Sequence, residues 1–458
     1  MKNGEEPSPD STRRLSRPGQ AAAAPSEKPS PSLLPERMME AIVDSANMQR
    51  AWDQVRGNRG APGPDGITLT QFPEWFRPQW AAIRQQLLDG TYEPSPVRRR
   101  TIDKPDGGQR QLGIPNVLDR LIQQAIQQVL TPVFDPGFSD SSHGFRPNRS
   151  AHGASKQVQR TIRRGRRFVV DMDLSKFFDR VQHDVLMSRV ARKVRDKRLL
   201  KLIGRYLRAG VMVEGVLQSS PEGTPQGGPL SPLLANILLD DLDKELESRG
   251  LPFVRYADDF VIITKTRRAA ERVFTGVNRY LTKVLRLVVN LEKSRIVSAD
   301  GVEFLGFVFR GMTGMIHVSE KNVQKCKRRI RELTGRSRGI SMTQRFGELR
   351  RYLQGWAGYF ALAKQMRLFE ILDQWIRRRL RMCFWKRWRF VRTRVQNLLT
   401  LGVPRRQAFR HAKSRHGPWH MAQTIASGVG ITNAWLQDQG LVSLKSLWVK
   451  RAPLRRTA

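Results

Sequence analysis

The chain has 458 residues, 39% of them hydrophobic, and a formal net charge of +40. That length corresponds to roughly three domains, and the apolar share excludes a wholly unfolded chain. A charge this positive points to a polyanionic partner, most often nucleic acid.

Residues 1–35 are rich in Pro, Ser and Ala, lack periodic apolar positions and read as a disordered leader. They contain no basic stretch followed by an apolar one, so no secretory signal is seen. From Pro35 to Val55 the apolar positions Met38, Met39, Ile42, Val43 and Ala46 predict a helix. Gly60-Ala-Pro-Gly-Pro-Asp-Gly66 is a loop punctuated by glycine and proline, and Trp75 to Leu88 reads as a second helix. Val97–Ile114 alternates around Pro105-Asp-Gly-Gly108, the pattern of a β-hairpin. Leu118–Phe134 is helical. Phe168–Leu174 is β-like, with a helix following to about Val194. Pro229–Leu246 is a strong amphipathic helix, and Phe253–Thr264 reads as a hairpin around Tyr256-Ala-Asp-Asp259. A helix over 270–287, a short strand and Val302–Phe309 complete an α+β unit resembling an RNA-recognition-like sheet. After Ser319 the pattern is almost wholly helical. No apolar run reaches the ~18 residues of a membrane span.

The charge is uneven. From Glu320 onward there are 32 Lys and Arg against 6 Asp and Glu, with seven of the ten Trp. Arginine forks onto phosphate and aromatic faces stack on unpaired bases, so this third suits nucleic acid; solvated basic helices with Trp in their cores are the plainer reading. Cys326 and Cys383 lie far apart without a Cys-x-x-Cys pair. They exclude a disulfide framework or a multi-cysteine zinc site, fit a reducing cytoplasm, and read as helix residues. His411, His416 and His420 cluster, but their spacing fits no common zinc pattern, so no zinc is expected.

Two places supply carboxylates. Asp171 and Asp173 lie two apart on one strand, hence on one face; Asp258 and Asp259 sit at a hairpin tip between the apolar arms Phe253-Val-Arg-Tyr and Phe260-Val-Ile-Ile. Adjacent acids between buried strands are costly to hold without a cation. A few aspartates on rigid strands are what two-Mg²⁺ nucleotidyl transfer requires. Surface acid pairs in turns are also common, so the ordered set of motifs around these residues carries the reading.

That set, from about residue 40 onward, resembles the bacterial group II intron-encoded reverse transcriptase/maturases. Gly60–Gly66 is similar to their N-terminal extension motif. Arg98–Pro115 and Gly144-Phe-Arg-Pro147 with Ser150, Ala151 and His152 resemble the two fingers motifs. Asp173-Leu-Ser-Lys-Phe-Phe-Asp179, Thr224-Pro-Gln-Gly-Gly-Pro-Leu-Ser-Pro232, Tyr256–Asp259, Asn290-Leu-Glu-Lys-Ser294 and Phe304-Leu-Gly-Phe307 resemble the successive palm motifs. Trp356–Tyr359, Trp375–Trp388 and Asn433–Trp448 look like the maturase thumb and its C-terminal extension.

The resemblance implies a right-hand polymerase of fingers and palm, with an α-helical thumb/maturase domain behind it. The expected division is a leader (1–35), N-terminal extension and fingers (36–165), palm with part of the fingers (166–318), thumb/maturase domain (319–395) and a basic C-terminal extension (396–458). It implies two Mg²⁺ ions on Asp173, Asp258 and Asp259, with the Leu174 carbonyl as a further ligand; Asp171 remains open as a structural acid. It implies dNTP contacts from Lys104 and Arg110 (the plainer reading is a solvated hairpin), from Phe178 as gate against a 2′-hydroxyl (or a core aromatic), from Gln226 with Gly227 and Gly228 (or turn glycines), and from Lys293 (or a surface lysine). Tyr256, Arg146, Gly227 and the Phe304-Leu305-Gly306 grip would meet primer and template, with a plain buried strand the rival for the phenylalanines. Arg377, Arg378, Arg379, Arg381, Lys386, Arg387 and Arg389 would hold RNA. The implied partners are group II intron RNA, an RNA template with DNA primer or target, and dNTPs, in a bacterial cytoplasm without a membrane. Many relatives end in an H-N-H endonuclease with paired cysteines; their lack here predicts no target-strand cleavage. A host-adapted reverse transcriptase and a splicing-only RNA-binding maturase are the alternatives.

Overall fold

The apolar stripe expected as one helix from Pro35 to Val55 is broken at Asp44. In the computed structural model, which describes residues 37–103, 109–213, 216–218 and 227–451, α1 (Met38–Ile42) stops and α2 (Ser45–Gly57) begins afresh. The Asp44 carboxylate accepts the N–H groups of Ala46 and Asn47, capping the new helix. The expected leader, 1–35, lies outside the described residues. Trp75–Leu88 is likewise divided: α3 (Phe72–Phe76) and α4 (Trp80–Leu88) flank a 3₁₀ turn containing Pro78. The β1 (Val97–Asp103) and β2 (Gln109–Ile114) hairpin is as expected, with Arg98 opposite Ile114. Next comes α5 (Val117–Phe134), whose Leu121, Ile122, Ala125, Ile126, Val129 and Leu130 are buried. The Gly60–Gly66 loop docks on it: Arg120 donates to the Ala61 carbonyl at 2.8 Å, and Asn116 Oδ1 accepts the Asp65 N–H at 3.3 Å.

α6 (Ala151–Arg163) is capped by Ser150 and leads to β3 (Phe168–Met172). The helix expected to run to Val194 is α7 (His183–Val190), preceded by a 3₁₀ turn at Phe177–Asp179. The amphipathic α8 (Lys197–Arg208) was missed although Leu199, Leu202, Ile203, Tyr206 and Leu207 lie at helical spacing, and the short β4 (Val211–Val213) and β5 (Val216–Gln218) carried no clear sequence signal. β4 pairs parallel with β1, giving the order β2-β1-β4-β5. α9 (Ser231–Ser248) precedes the β6 (Phe253–Tyr256) and β7 (Asp259–Thr264) hairpin, followed by α10 (Arg267–Lys283) and β8 (Arg295–Ser298). Strands β6-β7-β3-β8 form one antiparallel sheet, the expected palm arrangement. β9 (Glu303–Phe304), β10 (Phe307–Arg310) and β11 (Met315–Val318) form a separate three-stranded sheet.

From residue 320 the described chain is helical: α11 (Glu320–Leu333), α12 (Met342–Tyr359), α13 (Met366–Arg387), α14 (Val391–Thr400), α15 (Arg405–Ala412), α16 (Pro418–Met421), α17 (Ile425–Gly430), α18 (Asn433–Asp438) and α19 (Leu444–Arg451). Two apolar cores meet at the palm sheet. Val170, Met172, Phe253, Phe260 and Ile262 face one, with α5, α9 and α10. Val169, Val254, Val261 and Ile263 face the other, with α6, β9–β11 and α11–α13. This alternation is the period of two of a strand, here buried on both faces.

Candidate active site

The hairpin β6–β7 closes with Tyr256 opposite Asp259, so Ala257 and Asp258 form its turn, with Ala257 at φ 60. β3 pairs with β7 as far as Met172 opposite Phe260. One residue further along the same register, Asp173 comes opposite Asp259. The two carboxylate sources seen in the sequence therefore converge at one end of the palm sheet. The chain after β3 is pinned there. The Asp173 N–H donates to Ser294 Oγ at 3.0 Å, and its carbonyl accepts the Asn290 N–H at 2.8 Å. Leu174, buried, forms a bridge with Val289. Asp171 is tied to Arg295 at 3.2 Å.

Asp173 and Asp259 reach solvent and Asp258 is half-buried. The Asp259 carboxyl is exposed yet stands among other acids. Desolvation, followed by the charges of Asp171, Asp258 and Asp173, pushes it up to about 7. Desolvation also raises Asp171, opposed by Arg295. Among the described residues no three His, Cys, Asp or Glu side chains form a ready metal cage. The donor chemistry nevertheless fits a hard cation: carboxylates repel one another at the end of rigid strands. Water and phosphate oxygens can fill the positions of a hard divalent cation that a few carboxylates leave open.

Of the residues expected to meet a dNTP, Lys104, Gln226 and the side chain of Arg110 lie outside the described residues. Phe177 is the core aromatic, 3% exposed, whereas Phe178 is half-buried and meets it edge-on at 5.1 Å. Lys293 is exposed, on the loop whose Asn290 carbonyl oxygen Oδ1 accepts its N–H. Gly227, at φ 136, approaches protein: a Cβ there would lie 2.4 Å from the Gly113 carbonyl oxygen of β2. Gly228 similarly abuts the Gln123 side chain.

Of the residues expected to meet primer and template, Tyr256 is half-buried, its ring 6.4 Å from that of Phe145. Leu305 and Gly306, at φ 51 and 77, make the two-residue turn between β9 and β10. The Tyr359 hydroxyl donates to the Leu305 carbonyl at 3.0 Å. Phe304 is 2% exposed, so its side chain belongs to the core and only the turn is presented. Arg146 points inward. It donates to Asp135 Oδ1 and to the carbonyls of Asp135, Ser139 and Ser142, organising its own loop.

The basic stretch from Arg377 to Arg389, running from α13 to just past its end, divides in two. Arg378 stacks 3.7 Å above Trp419, Arg379 donates to Thr334 and stacks on Trp375, and Arg381 donates to the Ile431 carbonyl and Asn433. These three tie helices together, and Arg377 is half-buried. Lys386, Arg387 and Arg389 are exposed.

Sequence reasoning missed Arg255, Asn236 and Asp243. Arg255 and Asp243 form an ion pair in which both side chains are 0% exposed. The available signal was a charge inside the apolar run Phe253-Val-Arg-Tyr, since a buried charge demands a partner.

Comparison with known proteins identifies the family. Residues 102–309 match the reverse transcriptase (RNA-dependent DNA polymerase) family, and residues 323–401 match the group II intron maturase-specific domain. Protein YkfC of Escherichia coli is 33% identical over 318 residues, covering 60% of this chain and 83% of that one. The group II intron-encoded protein LtrA of Lactococcus lactis is 40% identical over 206 residues, which cover 45% of this chain and 34% of LtrA. Among solved structures, a chain of a partial Cas6-RT-Cas1–Cas2 complex is 27% identical with a TM-score of 0.36, covering 54% of this chain and 42% of that one. The chain belongs to the reverse transcriptases that carry a group II intron maturase-specific domain. Its class is RNA-directed DNA polymerase, its substrates are nucleic acid, and this family generally uses divalent metal ions. Among the described residues no helix is long and apolar enough to cross a membrane.

Proposed function

We propose that this protein reverse-transcribes a group II intron RNA, which it also binds and helps to splice. The observation that carries this reading is the convergence of Asp173, Asp258 and Asp259 at the end of the palm sheet, in a chain whose next domain is of the maturase type.

In the reaction a primer 3′-hydroxyl attacks the α-phosphorus of a dNTP in line; the new P–O bond forms as the bond to the β-phosphate oxygen breaks and pyrophosphate leaves. Asp173, Asp258 and Asp259, with the Leu174 carbonyl, would hold Mg²⁺, which supplies activation of the hydroxyl and neutralisation of triphosphate charge. Lys104 and Arg110 bind the triphosphate oxygens. Phe178, half-exposed beside the packed Phe177, would exclude a ribose 2′-hydroxyl. Gln226 is assigned to the nucleotide, with Gly227 and Gly228 seated against Gly113 and Gln123. Lys293 meets the leaving pyrophosphate, and Tyr256 and the Leu305–Gly306 turn hold the primer end. Lys386, Arg387 and Arg389 offer open cations to intron RNA.

Primer extension on an RNA template with Mg²⁺ and dNTPs tests the reading. Wild type extends and Asp258→Ala does not. If neither extends, the splicing-only alternative takes its place. A group II intron RNA flanking the gene supports the maturase assignment, and its absence favours a host-adapted reverse transcriptase.

A further inference from the structure

Arg255 stands immediately before the Tyr256-Ala-Asp-Asp259 turn, yet its side chain is turned away from solvent altogether. Its Nε donates to both carboxylate oxygens of Asp243, at 2.8 and 3.1 Å, and Nη2 reaches the same carboxylate. Nη1 donates at 2.9 Å to two acceptors, Asn236 Oδ1 and the carbonyl oxygen of Ala257. The last contact lies within the catalytic turn. It fixes which way the peptide between Ala257 and Asp258 faces, at a residue held in the left-handed region that a side chain rarely adopts. Fixing that peptide fixes the direction in which Asp258 leaves the backbone.

The same network reaches the fingers. Asn236, 1% exposed on α9, donates its Nδ2 to the Gly144 carbonyl at 2.8 Å. Gly144 presses on the turn itself: a Cβ there would lie 2.3 Å from the Ala257 nitrogen. The main chain of Arg255 is gripped by the same loop. Its N–H donates to the Ser141 carbonyl and its carbonyl accepts the His143 N–H, both at 2.8 Å. One guanidinium and one carboxamide thus join α9, the fingers loop at 141–144 and the catalytic turn.

We infer that Arg255, Asn236 and Asp243 are positioning residues for nucleotidyl transfer: they set the Ala257–Asp258 peptide, and through Gly144 they couple the fingers loop to the metal-binding aspartates. None of the three touches substrate. The inference rests on the polymerase reading above and adds to it the device that aims Asp258. A buried ion pair on its own contributes little net stability, because desolvating both charges offsets their attraction. What this one adds is orientation, through the two further acceptors that the fork satisfies at once.

Three variants of the full chain separate aiming from mere stability. Asn236→Ala removes both carboxamide contacts without burying a new charge. Arg255→Lys keeps a cation for Asp243, but its donors sit on one nitrogen and cannot span Asp243, Asn236 and the Ala257 carbonyl as the planar fork does. Asn236→Asp keeps an acceptor for Arg255 and removes the donor to Gly144. Each is checked for folding by circular dichroism and assayed by single-nucleotide incorporation.

The expected result for Asn236→Ala and Arg255→Lys is a kcat lower by roughly 10- to 100-fold, the range seen when groups that orient metal ligands are lost. Their Mg²⁺ requirement for half-maximal rate should rise several-fold, while KM for the dNTP and Kd for template–primer stay within about threefold. Asn236→Asp is expected to be as slow as Asn236→Ala; wild-type kcat in it would overturn the coupling through Gly144. If Arg255→Lys does not fold, Asn236→Ala decides the aiming role. Folded variants with a lower melting temperature but wild-type kcat and Mg²⁺ requirement would overturn the proposal. An inactive wild type would sink the polymerase reading itself, an outcome distinct from either.

Discussion

Asp119 shows at the scale of one residue how burial becomes a pH response. It is 1% exposed, accepts the hydroxyls of Tyr92 and Tyr206 at 2.9 and 3.2 Å, and is raised to about 6, chiefly by desolvation. The folded state therefore holds this proton more tightly than the unfolded chain does. The associated stability is fully present at about pH 4 and is lost as pH rises through about 6. Asp119→Asn should abolish that dependence. The stability difference, wild type minus variant, should fall by on the order of 3 kcal/mol between pH 4 and 7, read from urea unfolding at each pH. A constant difference would refute the assignment. A second residue-scale prediction concerns Phe178. Phe178→Ala should raise ribonucleotide incorporation relative to dNTP by roughly tenfold or more in competition assays, because the half-exposed ring is removed and its buried neighbour Phe177 stays. The sequence left Phe178 open between a gate and a core aromatic; its half-exposure beside the buried Phe177 keeps it out of the core.

Among the elements, long periodic segments were legible and their interruptions were not. The α5 and α9 helices and the β6–β7 hairpin follow directly from apolar spacing and turn residues. The break at Asp44 was hidden because Ala46 keeps helical spacing with Ile42 in the sequence, yet in the structure Ala46 is exposed and the Asp44 side chain accepts two N–H groups where the new helix starts. Asp44→Ala should lower stability by about 1 kcal/mol in denaturant unfolding, the usual worth of a helix N-cap. The basic stretch from Arg377 to Arg389 shows a different limit. Composition cannot distinguish an arginine that ties helices from one that faces RNA. Arg378, Arg379 and Arg381 are engaged internally, while Lys386, Arg387 and Arg389 are exposed. Replacing the exposed three with alanine should weaken RNA binding and reduce the slope of log K against log salt by about 2, with little change in melting temperature. Arg379→Ala should instead lower the melting temperature. The reverse pattern would show that the two groups have been misassigned.

For the whole molecule, the palm sheet is a wall with an apolar core on each side, and the carboxylates project from its end. That location explains why few acids suffice on a chain of net charge +40. The acids stand at the end of the sheet, and the basic excess lies mostly in the helices after residue 320. The motifs made the carboxylates legible in the sequence. The residues that aim them were not, because Asn236, Asp243 and Arg255 meet only when α9 folds against β6. The account assigns synthesis to the palm and RNA binding to the basic helices. Its most direct test is to measure, on the same preparations of wild type and Asp258→Ala, primer extension on an RNA template and the affinity for the intron RNA. The account predicts that the substitution abolishes extension and leaves affinity within about threefold, since one acid at the palm's end contributes no phosphate contact. Parallel loss of both, or extension that survives the substitution, would contradict it.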